Sequence, residues 1–239
     1  MRLETIFSTL ATSLALSLFV SASPLNTSLV PPPLPSYLGR SNIFYRAVFG
    51  AEVASAARVY PIRANPTGHS NAAGDFSFSG GLYVFRDIDE ARQWGTCRAR
   101  VLGQLNPAHR NWLLVEFQYT PSKKRLNTRT FTNATPAWRE FVVDNYKSQG
   151  TRHDIVEGPI SHGSGSGLGA YVNAAGNMVW QAAFVRRQGL ATLVVRSRTQ
   201  YNDRGQVGEC CRNCNIMLVD PANQLVDQSA AMTEWAAFD

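Results

Sequence analysis

Gly81-Leu82-Tyr83-Val84-Phe85 runs straight into Arg86-Asp87-Ile88-Asp89-Glu90-Ala91-Arg92-Gln93-Trp94, and the change of period at Asp87 decides the class of fold. The first five residues are apolar or aromatic and are entered through glycines, the composition of a short buried strand. From Asp87 the period is helical. Asp87 suits an N-cap, Glu90 follows three residues later as in a capping box, and Ile88, Ala91 and Trp94 fall on one face. Working outward, residues 43–48 and 112–119 read as strands, and Pro136 after Thr135 starts a second helix through Phe141 and Val142. Short strands follow at 154–157, 178–185, 191–196 and 216–219, with a glycine-serine loop over 163–169. Strands outnumber helices without regular alternation and no internal repeat is visible, so the expected class is α+β.

The N-terminus reads as a signal peptide over residues 1–22. A weakly charged start, Met1 to Glu4, leads into an apolar run from Ile6 to Val20, and Val20-Ser21-Ala22 offers small residues for cleavage. Ser8, Thr9, Thr12, Ser13 and Ser17 interrupt that run, whereas a membrane anchor needs roughly 18 to 25 apolar residues with few breaks. No later segment competes, so no integral membrane segment is expected once the signal is removed. Residues 23–40, with Pro31, Pro32, Pro33 and Pro35, read as an extended leader, and residues 41–239 as one domain. Export implies an extracellular protein. The triplets at Asn26 and Asn133 are candidate glycosylation sites, the second a poor one because Pro136 follows it.

Secretion also sets the reading of Cys97, Cys210, Cys211 and Cys214. Joining the adjacent pair to each other makes a strained ring, so one of the two is expected to reach Cys97 and the other Cys214 or another site. A zinc site from the three clustered cysteines and a histidine is the alternative, and adjacent ligands fit the usual zinc spacings poorly. The formal net charge of +6 comes almost wholly from arginine, since Lys123, Lys124 and Lys147 are the only lysines. Those arginines are scattered, which favours a solvated basic surface over a nucleic-acid patch.

Several catalytic signatures are absent: no histidine pair spaced for metal on a helix, no phosphate loop, no nucleophile elbow. The serines between glycines in 163–167 depart from the elbow spacing and read as a flexible loop. Instead, four blocks occur in order: Phe44-Tyr45-Arg46; Gly81 to Phe85 with Ala91 and Trp94; Asp154-Ile155-Val156-Glu157-Gly158-Pro159-Ile160; and Trp180-Gln181-Ala182-Ala183-Phe184. In that order they resemble the ADP-ribosyltransferase-like superfamily, in particular a branch with Gly-x-Tyr, Asp-x-Val-x-Gly-Pro and Gln-x-x-Phe strands. The resemblance spans about residues 42 to 196 and implies a split β core with flanking helices, whose cleft holds NAD+ as substrate.

On that resemblance Arg46 grips the dinucleotide and Tyr83 stacks on the nicotinamide, so these are the expected substrate-binding residues. Gln181 takes the catalytic position where the transferases carry a glutamate. An amide there bonds the ribose but brings no charge to the oxocarbenium-like sugar. Glu157, on the neighbouring block, is the carboxylate expected to supply that charge, and a capped or solvent-facing glutamate is the plainer alternative. The implied activity is cleavage of the nicotinamide-ribosyl bond, with ADP-ribose passed to water or to an unidentified macromolecular acceptor, as in a toxin or effector. Two other classes remain open. One is a secreted non-catalytic binding protein on the same fold; the other is a basic nuclease using His153 or His162 with Glu157. No metal is expected.

Overall fold

The computed structural model describes residues 30–69, 74–147, 152–162, 167–173 and 175–204. The signal peptide, the triplet at Asn26, Cys210, Cys211, Cys214 and the expected strand at 216–219 lie outside the described residues. Those described form an α+β fold. Seven strands make one mixed sheet: β1 (Asn42–Val48), β2 (Leu82–Phe85), β3 (Asn111–Tyr119), β4 (Thr128–Thr130), β5 (Ile155–Pro159), β8 (Trp180–Phe184) and β9 (Leu193–Asn202), in the order β4-β5-β8-β2-β1-β3-β9. Only β4 and β5 run parallel. Between β5 and β8 a small antiparallel pair, β6 (Ser161–His162) and β7 (Gly169–Ala170), stands apart from the sheet. The helices are α1 (Gly50–Val59), α2 (Ile88–Leu105), α3 (Pro136–Tyr146) and the single turn α4 (Arg187–Leu190).

Local chemistry starts the two helices the sequence announces. The Asp87 carboxylate accepts the amides of Asp89 and Glu90 at 2.7 and 3.2 Å, and Thr135 Oγ1 accepts that of Trp138 with Pro136 in the first turn. Helix α1 has no side-chain cap, which is why no start signal marks it in the sequence. Its alanines supply helix propensity, and Glu52 and Arg58 sit at the ends the helix dipole favours.

The sheet is thinnest between β1 and β2, where one register pair, Tyr45 opposite Phe85, joins them. By contrast β1 runs in register with β3 over its whole length, and β2 with β8 over all four residues. Beyond the Tyr45–Phe85 pair the strands part, dividing the sheet into a four-stranded and a three-stranded half. The Tyr83 carbonyl at this parting accepts instead from Arg46 Nη1 at 3.2 Å, so a side chain replaces a ladder bond.

Alternation along the strands sorts the core onto two faces. Phe44, Val48, Leu82, Val84, Val115, Phe117, Trp180, Ala182 and Phe184 form one cluster with Tyr60 and the α1 residues Ala56 and Val59. The opposite face carries two clusters. One joins Phe85, Ala47 and Leu114 to Ala91 and Ala99 of α2, and the other joins Phe76, Val156 and Ala183 to Trp138 and Val142 of α3.

The first face also takes up the end of the proline-rich segment. Leu34, Tyr37 and Leu38 pack against its cluster, the Leu34 amide donates to the Thr132 carbonyl at 2.8 Å, and Tyr119 Oη donates to the Leu38 carbonyl at 2.9 Å. The segment expected as a leader to the fold therefore ends as a strap within it. Proline removes ladder donors, yet leaves the side chains of Leu34, between two prolines, and of Tyr37 and Leu38 after them free to be buried.

Candidate functional site

Each expected site residue is held by a strand, and strand parity decides which of them meet. Tyr83 on β2 and Gln181 on β8 lie on adjacent strands, with Tyr83 opposite Ala183 and Phe85 opposite Gln181. Both therefore point to the face that carries α2 and α3. Gln181 has Phe85, of the α2 cluster, on one side and Gly158 on the other. A Cβ on Gly158 would come within 2.9 Å of Phe131 and 3.5 Å of Phe76, so the missing side chain is what lets the α3 cluster close up beside Gln181. The amide thus sits at the seam between the two clusters, 5% exposed.

Arg46 and Glu157 belong to the other face. Arg46 is buried; its Nε and Nη2 donate to the Glu52 carboxylate at 3.0 to 3.1 Å and its Nε also to Tyr60 Oη, while Tyr60 Oη in turn donates to Glu52. Burial alone would lower the Arg46 pKa, but the Glu52 carboxylate and Tyr60 outweigh it and hold the guanidinium above its ordinary value. Burial also pushes the Tyr60 phenol up. The expected grip on a dinucleotide is in this structure a grip on α1 and on the Tyr83 carbonyl.

Glu157 is fully buried. Its carboxylate accepts from Ser36 Oγ, from the Tyr37 amide at 3.0 Å, from Thr130 Oγ1 at 2.8 Å and from Trp180 Nε1 at 3.1 Å. Gly158, not Glu157, stands opposite Gln181, so the structure does not bring this carboxylate to the amide. Of the two sequence readings, the capped glutamate describes its contacts.

Around Tyr83 the loop before β2 closes in. The Phe76 amide donates to Tyr83 Oη at 3.1 Å, and the two rings stack at 6.4 Å with 17° between planes. Burial and the nearby Asp75 carboxylate push the Tyr83 phenol pKa up. Asp75 itself is 7% exposed, and burial raises its pKa against the opposing pull of its Ser161 donors.

Sequence reasoning missed Asp75, since an isolated Gly-Asp in a loop reads as a turn. It also misassigned the Glu90 side chain. Rather than closing a capping box, Glu90 accepts from Asn173 Nδ2 at 3.2 Å, which ties the first turn of α2 to the hairpin leading into β8. Burial raises the Glu90 pKa to about 7, with Asp87 adding to the rise and Asn173 opposing it.

The histidines do not converge. His153 is half-buried before β5, edge-on to Phe141, and His162 is exposed beyond its other end, with five strand residues, roughly 16 Å, between them. Burial and the charges of Arg129 and Arg186 lower the His153 pKa. Among the described residues no group of three histidine, cysteine or acidic side chains is placed to hold a metal, and no helix is long and apolar enough to cross a membrane. An open cleft of about 720 Å³ lies between the 65–69 loop and α4, lined by Asn65, Thr67, His69, Arg187 and Leu190 among others, and contains none of the motif residues. Comparison of the chain with family models, curated proteins and solved structures finds no match.

Proposed function

We propose that the protein is a secreted ADP-ribosyltransferase-like protein that cleaves the nicotinamide-ribosyl bond of NAD+. The observation that carries this reading is that Tyr83 and Gln181 are diagonal neighbours on one face of adjacent strands, at the place where β1 and β2 part and Arg46 bonds the Tyr83 carbonyl. Two of the three motif side chains thus share a face, and the third, Arg46, reaches the same part of the sheet from the opposite face through the Tyr83 carbonyl.

In the proposed step the bond between ribose C1′ and the nicotinamide nitrogen breaks, and its electron pair leaves with neutral nicotinamide. Positive charge grows on the sugar, water or an acceptor nucleophile bonds C1′, and the nucleophile's proton passes to solvent. Tyr83 offers a flat ring for the nicotinamide, and Gln181 a neutral amide for the ribose hydroxyls. The neutral amide makes the wild type slow, because the growing charge has no carboxylate beside it.

The test is release of free nicotinamide from NAD+ by purified protein. Wild type releases it slowly, and Gln181→Glu raises the rate about tenfold or more, a change of about 1.4 kcal/mol in the barrier, with NAD+ affinity nearly unchanged. No release from either protein, with NAD+ still bound, leaves the non-catalytic binding protein; that second reading draws on the same missing charge. Absence of both binding and release ends the proposal.

A further inference from the structure

Asp75 is a buried carboxylate with no part in the chemistry above, and it is unusually well held. Its Oδ2 accepts the Ser161 amide at 2.6 Å; its Oδ1 accepts Ser161 Oγ at 2.7 Å and Tyr146 Oη at 3.2 Å. Its own carbonyl accepts Asn145 Nδ2 at 3.0 Å. The residue is thereby tied to the start of β6 and to the end of α3.

Both chain neighbours of Asp75 grip Tyr83. Phe76 stacks on the ring and donates its amide to the phenol oxygen. Gly74 lies so close that a Cβ would stand 2.5 Å from Tyr83 Oη, a contact real side chains do not make, so the phenol fits beneath the loop only because Gly74 is bare. The Gly74 and Ser77 backbones bond each other in both directions, at 2.9 and 3.3 Å, closing residues 74–77 into a turn. Phe76 is fully buried and Tyr83 is half-buried.

We propose that Asp75 is the positioning residue of the Tyr83 platform: it locks the 74–77 turn to β6 and α3, and the turn fixes the ring at the orientation in which a nicotinamide stacks beside Gln181. This rests on the ADP-ribosyl reading. Ser161 follows Gly158-Pro159-Ile160, and Gly158 stands opposite Gln181, so the clamp references the ring to the strand next to the amide. Packing alone does not call for a carboxylate here. Burying a charge is costly unless it is fully hydrogen-bonded, and a carboxylate that gathers three donors from two elements specifies one geometry where an apolar side chain would allow several.

Asp75→Ala and Asp75→Asn separate positioning from bulk stability. Asparagine Oδ1 still accepts the Ser161 amide, and its NH2 can donate to the Ser161 and Tyr146 hydroxyls, so this variant keeps most of the clamp. At a temperature where all three proteins are folded, KM for NAD+ rises about tenfold or more in Asp75→Ala with kcat little changed, as expected for loss of binding common to ground and transition states. Asp75→Asn falls near wild type. Hydrogen exchange gives a readout free of NAD+: the Phe76 amide, held by the Tyr83 phenol, exchanges faster in Asp75→Ala than in Asp75→Asn. Equal KM values in folded wild type and Asp75→Ala, or in wild type and a much destabilised Asp75→Asn where alanine does not fold, overturn the positioning role alone. A wild type that neither binds nor cleaves NAD+ overturns the ADP-ribosyl reading and this inference with it.

Discussion

Arg46 and Glu157 on one face of the sheet, and Gln181 and Glu90 on the other, are held in opposite ways. On the α1 face, Arg46 and Glu157 are buried charges saturated with partners: Glu52, Tyr60 and a carbonyl for the first, and four donors for the second. On the α2 and α3 face, Gln181 lies at a seam between two clusters, and Glu90 holds a single hydrogen bond from Asn173. The Glu157 carboxylate, with a donor on each of its lone-pair sites, has no capacity left for a ligand, and the Arg46 guanidinium is turned onto Glu52, Tyr60 and the Tyr83 carbonyl. The difference teaches that Arg46 and Glu157 hold the fold together, whereas Gln181 and Glu90 are not tied into a comparable network.

The largest expected effects lie on the α1 face. Glu157→Gln or Arg46→Ala leaves buried donors or the Glu52 carboxylate without a partner, which costs about 3 to 5 kcal/mol. Gln181→Ala costs about 1 kcal/mol or less, since it removes an amide that closes no comparable network. Urea midpoints check both, and a Gln181→Ala protein as crippled as Glu157→Gln breaks the division between the faces. A double-mutant cycle of Arg46→Ala with Glu52→Gln sharpens it, with strong coupling marking the pair as one structural unit.

The smallest expected effect is a pH dependence from Glu90. Its folded pKa of about 7 lies above its ordinary value, so the folded state favours the protonated form. The stability this contributes is fully present below about pH 4.5, and it is lost as pH rises through 7. The loss is about 1 to 2 kcal/mol, because water still reaches the carboxyl and screens it. Glu90→Gln flattens that part of the stability curve. An unchanged slope between pH 5 and 8 in the variant means that Glu90 is not the titrating group.

Much of this fold is written in local sequence. Asp87 and Thr135 cap where their spacing says they should, and the strands around Tyr83 and Gln181 fall where the runs of apolar residues place them. What local pattern does not carry is which way a side chain is drawn once strands pair. Arg46 reads as an edge-strand arginine or a ligand grip, because Glu52 and Tyr60 become its partners only when α1 folds back on β1. Glu90 reads as a capping partner for the same reason, since Asn173 is 83 positions away. Asp75 carries no periodic signal at all, and its importance arises from Ser161 and Tyr146, which no spacing rule links to it.

The Glu157 carboxylate also sets a clock on synthesis. Ser36 stands 121 positions before it, and at about 5 to 20 residues per second the strap waits roughly 6 to 24 s after being made before its anchor is added to the chain. Until then Leu34, Tyr37 and Leu38 have neither Glu157 nor Trp180 to dock on. The strap's earlier partners, Tyr119 and Thr132, are made before that, but its carboxylate anchor arrives only with the second half of the sheet.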